Sequence, residues 1–184
     1  MATRDLRTDL LAAAAALLER EGAVAAISLR AVAREAGVSA PAVYGHFADL
    51  DALMDAVLDE GFVALLAATR SAADGIADPV DRLVAGCRAY VEQGMAAPAR
   101  YSAMFGGRSL PHAGEAFDGL VEAVQACVSA GRSASRDPRA DAALVWIAMH
   151  GLVTLGVTTA PGTGRPDLDG QLAALVGRLA LLDP

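Results

Sequence analysis

Apolar positions recur along this chain at intervals of three and four, and β-branched runs are scarce, so the pattern predicts helices throughout. Leu6, Leu10, Ala14, Leu17 and Leu18 give a first helix, Arg4 to Glu21, one apolar face, and Gly22 ends it. The alanine run Ala12 to Ala16 inside it reflects helix propensity alone. Leu29, Val32, Ala33 and Ala36 form the next face, opened by Ser28, whose hydroxyl can accept from free backbone N–H groups one turn on. Ile27, just before that cap, is placed to staple the helix start by packing near Val32. Gly37 follows, where a helix end often needs a left-handed residue, and Val38 plugs back toward the first helix. Ser39 is expected to cap a further short helix, with Pro41 in its first turn and Val43, Tyr44 and Phe47 on its apolar side. Two short helices joined by a tight turn containing glycine make a helix-turn-helix pattern, here braced by the first helix into a three-helix core.

Asp49 is expected to cap a long fourth helix running to about Ala73, with Leu53, Met54, Val57, Leu58, Phe62 and Leu66 along it. Asp74-Gly75 and Asp78-Pro79 mark a break. A helix from Val80 to Met95 buries Leu83, Val84, Cys87, Tyr90 and Val91; a short one, Pro98 to Phe105, follows. Gly106 to Pro111 reads as a loop, then Ala113 to Ala130 as helix with Phe117, Leu120, Val121, Val124 and Val128 inward. After a polar turn from Gly131 to Pro138, Ala142 to Ala160 gives nineteen residues with no formal charge. Its length and hydropathy are borderline for a membrane span, but His150, Gly151, Thr154, Thr158 and Thr159 argue against one. A helix apolar all round is otherwise buried in a core or a subunit interface. Beyond a Pro161–Pro166 loop, Leu168, Leu172, Leu175, Val176, Leu179 and Leu182 line a last helix. The expected fold is all-α, about nine helices, in two domains. Residues 1–48 carry the helix-turn-helix; residues 49–184 form a helical bundle, with 49–73 as the linking helix.

Charge complicates a nucleic-acid reading. The net charge is −7, and all 15 cations are arginine. Residues 1–60 hold five arginines (Arg4, Arg7, Arg20, Arg30, Arg34) against ten acids. Screening limits exposed charges to about 10 Å, so local placement decides. Residues 36–48 contain no acid, and Arg4, Arg7 and Arg30 can flank them.

Chemistry is hard to find. His46, His112 and His150 lie far apart with no metal-ligand spacing, and no metal site is expected. No P-loop, dinucleotide glycine fingerprint or nucleophile elbow is present, so neither catalysis nor a cofactor is expected. Cys87 and Cys127 have no redox or metal spacing and read as small buried hydrophobes in a reducing compartment. The start MATRDLRTDL is polar where a leader would be apolar, so the expected location is cytoplasmic.

The run LRAVAREAGVSAPAVYGHF, with its A-x-x-A-G-V-S core and closing Tyr44-x-His46-Phe47, resembles the N-terminal DNA-binding domain of TetR-family transcriptional regulators. The resemblance is close over residues 1–60 and loose beyond. Trp146-x3-His150-Gly151 also resembles a regulatory domain found in part of that family. On the second helix of the hairpin the outward residues are Ser39, Ala40, Ala42, Tyr44, Gly45 and His46. The resemblance implies that Ser28, Ser39, Tyr44 and His46 contact the DNA backbone and that Ala40, Ala42 and Gly45 face base edges. Arg30 is expected to add a base or phosphate contact. Tyr44 has a second reading as a core aromatic, and His46 as an exposed capping residue. The chain departs from the family by carrying Ala48 and Leu50 where lysines often follow the His-Phe pair.

The resemblance further implies a cytoplasmic homodimer paired through its last two helices, two recognition helices on a palindromic operator, and a repressor released by a small apolar effector. The effector pocket is expected to draw on Tyr90, Tyr101, Met104, Phe105, Phe117, Trp146, Met149 and His150, each of which has an alternative as ordinary core. A rival reading is a helical dimeric module that binds a protein and uses the hairpin as scaffold.

Overall fold

Local sequence sets each helix end in the computed structural model, which describes residues 5–158 and 168–182. Nine α-helices occur among them: α1 Leu6–Glu21, α2 Leu29–Glu35, α3 Ala40–Val43, α4 Leu50–Ala73, α5 Pro79–Ala96, α6 Pro98–Met104, α7 Ala113–Ser129, α8 Pro138–Thr158 and α9 Leu168–Leu179. A 3-10 turn, Val24–Ala26, separates α1 from α2. The expected start of α1 at Arg4 moves to Leu6, because Asp5 accepts from the Arg7 N–H and caps it; Arg4 lies outside the described residues. The start of α8 moves four residues earlier than Ala142, since the Asp137 carboxylate accepts from Ala140 and Pro138 fits the first turn. Thr159 and the Pro161–Pro166 loop are outside the described residues.

Packing divides the chain into two units, one of residues 1–62 with 97–111 and the other of 63–96 with 112–184. This does not follow a division after residue 48, because α6 and the loop behind it are tied to the first unit by side chains remote in sequence. Glu19 of α1 accepts from the Ala99 and Arg100 backbone N–H groups at 3.1 and 2.9 Å. The carboxylate satisfies donors that a helix start leaves open and complements its dipole. Arg108 then donates to Asp51 at 2.8 Å and to Asp55, both on α4. A Cβ on Gly61 would lie 2.7 Å from the Met104 sulfur, so α4 and α6 approach closely there.

In this first unit Leu10, Leu17 and Leu18 of α1 meet Val32, Val43, Phe47 and the α4 residues Leu53, Val57, Leu58 and Phe62 in one buried core. Each such side chain contributes about 1.5–3 kcal/mol of burial, enough to hold the short α2 and α3 rigid despite their length. The α2–α3 turn is a Schellman closure: Val38 N–H donates to the Ala33 carbonyl at 2.9 Å, with Gly37 at φ 71°.

The second unit packs α5, α7, α8 and α9 on one another. Leu83, Cys87 and Val91 face Val124 and Cys127 of α7 and Val145, Met149 and Val153 of α8, all buried. Asp78 caps α5 through the Val80 and Asp81 N–H groups and pairs with Arg132. The segment after α9 is tied down where Ala134 N–H donates to the Leu181 carbonyl and the Ser133 hydroxyl to that of Ala180. Helix α8 is not buried all round. Ala142, Val145, Met149 and Val153 point inward, whereas Leu144, Ile147 and Leu155 are exposed. No helix of the described residues is long and apolar enough to cross a membrane.

Candidate nucleic-acid interface and effector cavity

The hairpin presents its residues from two short, firmly closed helices. Ser28 Oγ accepts from Ala31 N–H at 3.2 Å, as its position predicts, and keeps its own proton to donate outward. Ser39 differs from expectation: its side chain makes no capping bond, and its carbonyl instead accepts from Ala42 N–H. The hydroxyl is therefore left exposed. The recognition helix is also shorter than the pattern suggested. It ends at Val43, and His46 and Phe47 N–H both turn back to the Val43 carbonyl. Tyr44, Gly45 and His46 thus form a turn beyond the helix, with Tyr44 61% exposed and not a core aromatic. Gly45 and His46 are exposed, and Ala40 and Ala42 half-buried, while Val43 and Phe47 take the inward positions. Arg30 and Arg34 are exposed on α2, and Arg7 stacks on the Phe47 ring at 5.1 Å.

The acid excess of the first sixty residues is absorbed internally. Arg20 holds Glu35 through two hydrogen bonds, so Glu35 sits below the usual carboxylate range, chiefly through that bond. Glu21 joins the same guanidinium at 3.5 Å. Asp51 and Asp55 pair with Arg108, Glu19 caps α6, and Asp5 and Asp49 cap α1 and α4. Asp5, Glu19, Glu21, Glu35, Asp49, Asp51 and Asp55 have the partners just named, Asp9 and Asp59 are also engaged, and none of the ten acids lies in residues 36–48.

The second unit contains a cavity of about 350 Å³ walled by α4, α5, α7 and α8. Of the eight residues expected to line an effector pocket, Tyr90, Trp146 and Met149 do so. Phe117 and His150 are not in its wall but pack against Trp146, Phe117 edge-on at 5.6 Å and His150 tilted at 5.3 Å between ring centroids. Tyr101, Met104 and Phe105 belong to the first unit, where Phe105 packs edge-on against Phe62 at 5.3 Å. Sequence reasoning passed over Thr69, Arg70, Arg82, Leu83, Cys87, Leu120 and Glu122 of the wall. It also passed over a legible sign: Ala116, Gly119, Ala123 and Ala126 repeat at helical spacing on α7, and this stripe of small residues opens the space.

The polar chemistry of the wall is neutral inside. Burial pushes the Cys87 thiol up to about 12, with Cys127 beside it adding to the shift, so it stays a thiol near neutral pH. Tyr90 Oη lies 3.1 Å from His150 Nδ1. Burial lowers the His150 pKa below its ordinary value, against an opposing hydrogen bond with the Trp146 backbone. A lowered histidine pKa means the unfolded chain binds more protons. Stability is therefore flat above the unfolded value of about 6.5 and falls as pH drops below it toward the folded value. Urea unfolding at pH 7.5 and 5.5 should show this loss reduced in a His150→Asn protein; an equal loss in both proteins would refute the assignment. Among the described residues no group of His, Cys, Asp or Glu could hold a metal ion.

A helix-turn-helix on a three-helix scaffold, carried with a second helical unit that contains a cavity, is the arrangement of a DNA-binding transcriptional regulator. The comparisons agree. The profile described as "Bacterial regulatory proteins, tetR family" matches residues 10–57, and "Tetracyclin repressor-like, C-terminal domain" matches 83–179. The chain belongs to the TetR family, which is not a family of enzymes. It is similar to a protein of unknown function from Rhodococcus sp. RHA1, at 30% identity over 100% of this chain and 98% of that one, TM-score 0.86. A tetR-family regulatory protein from Rhodococcus RHA1 shares 22% identity over 99% and 100%, TM-score 0.77. AibR, solved with isovaleryl coenzyme A and operator DNA, shares the fold at 20% identity over 97% and 100%, TM-score 0.69.

Proposed function

We propose that this regulator is a homodimeric, cytoplasmic repressor that a small effector in the second-unit cavity releases from a palindromic operator. The observation that carries the reading is one chain bearing both an exposed hairpin whose second helix and flanks, residues 36–48, hold no acid, and a largely apolar cavity in its second unit. Ser28, Ser39, Tyr44 and His46 bind phosphates, Arg30 reaches a base or a phosphate, and Ala40, Ala42 and Gly45 approach base edges; their exposed or half-exposed positions support this. With Ala48 and Leu50 replacing usual cations, each missing phosphate contact lowers the salt slope by about 0.9. Pairing through α8 and α9 is supported by the exposed stripe of Leu144, Ile147 and Leu155, an apolar face that a second copy would cover. Trp146, His150 and Gly151 act as the Trp-x3-His-Gly motif of their subgroup, which their ring contacts support.

Helix α4 is the means of communication. Leu50 to Phe62 belongs to the DNA-binding unit, while Leu66, Thr69 and Arg70 line the cavity. An effector that prefers one setting of α4 shifts the dimer toward one spacing of its hairpins. The test is enrichment of random duplexes on the purified protein, followed by sequencing and sedimentation. The expected result is a dimer and an inverted repeat with half-site centres about 10 base pairs apart or a multiple of that. A monomer, or no enriched repeat, would overturn the proposal.

A further inference from the structure

We propose that the effector is a small apolar acid, with a carboxylate held at Arg82 and Arg70 and its hydrocarbon part against Leu83, Trp146 and Met149. This rests on reading the cavity as the effector site. The inner wall is apolar: burial keeps the Cys87 thiol protonated near neutral pH, and Tyr90 meets His150, whose charged form burial disfavours. Charge on the lining is confined to Arg70, Arg82 and Glu122. Arg82 forms no ion pair among the described residues. Arg70 meets Glu115 only at 3.8 Å, with its side chain 73% exposed, a pairing that solvent screens and a bound anion can replace. A guanidinium suits a carboxylate because its fork matches two oxygens at once.

Volume narrows the class further. A water takes about 30 Å³ of liquid, so the cavity of about 350 Å³ holds roughly a dozen non-hydrogen atoms. That is the size of a short alkyl or aryl acid and several times too small for a coenzyme A thioester. An apolar amine would meet two guanidinium groups against the single Glu122, and a neutral amide would gain from Arg82 only a weaker hydrogen bond without the opposing charge.

Trp146 is the chain's one tryptophan and lines the cavity, so its fluorescence reports occupancy directly. The full chain should be titrated at low salt with phenylbutyrate, phenylbutyramide and phenylbutylamine, which differ little except in charge. Phenylbutyrate should bind about tenfold or more tighter than the amide, as charge-assisted hydrogen bonds imply, and the amine weakest. Arg82→Gln should bring acid and amide to within about threefold of each other while leaving the amide unchanged. Gly119→Leu, which places a side chain where nothing lies within 4 Å of the glycine, should abolish binding of both. Equal affinities for acid and amide, preference for the amine, or an Arg82→Gln protein that still selects the acid would sink the ligand class and leave the cavity reading standing. Silence of Trp146 toward all three probes, or undiminished binding by Gly119→Leu, would sink both.

Discussion

A Tyr44→Glu protein should fold as the parent does and lose about 100-fold or more in affinity for the enriched operator, since like charges set against each other cost several kcal/mol and each 1.4 kcal/mol is tenfold. Tyr44 is 61% exposed in the turn after α3, so the exchange removes little buried area. It places a carboxylate in the middle of the stretch from 36 to 48 that carries no acid. Tyr44→Phe removes only a hydroxyl and should cost about 1 kcal/mol, roughly fivefold. Fluorescence anisotropy of a labelled duplex measures both, with far-ultraviolet circular dichroism confirming the fold. Should Tyr44→Glu bind within about threefold of the parent, the hairpin does not face DNA. The rival reading, a protein-binding module on a helix-turn-helix scaffold, would then be preferred.

Phe62→Ala should lower unfolding free energy by about 3–5 kcal/mol, because deleting a buried ring loses its transfer energy and leaves a cavity. Phe62 is 0% exposed and meets the edge of Phe105 at 5.3 Å with the rings nearly perpendicular. Against a total stability of about 5–15 kcal/mol this is a large fraction. The melting temperature should fall by about 6–20 °C at this chain length. Urea and thermal unfolding check both numbers; a loss under about 1 kcal/mol would mean that α4 and α6 collapse into the space.

The local signals in the chain were largely readable. Ser28, Gly37, Asp49, Pro79 and Pro98 each stand where backbone geometry requires such a residue, and the helices begin and end beside them. Helical spacing showed which face of each helix goes inward. It could not show which helix that face meets. Tyr101, Met104 and Phe105 carry the size and polarity of pocket residues, yet they sit in the first unit because Glu19, about eighty residues earlier, caps α6. The opposite error occurred on α7, where the informative residues were the small ones. Large aromatics attract attention, but a void is made where side chains stop short, as at Gly119 and Ala123. The charge puzzle of the first sixty residues had the same root. Its answer includes Arg108, a cation from outside the window being counted.

The anchoring of residues 97–111 by Glu19, Asp51 and Asp55 bears on how such regulators can be recombined. A chimaera that grafts this DNA-binding head onto a foreign second unit by a single crossover at residue 62 would strand the Glu19 carboxylate and strip the partner from Phe62. Three crossovers are needed, after residues 62, 96 and 111, so that the α6 segment travels with the head it completes. The two units are interlaced along this chain, and shuffling them respects packing only when both pieces of the head move together.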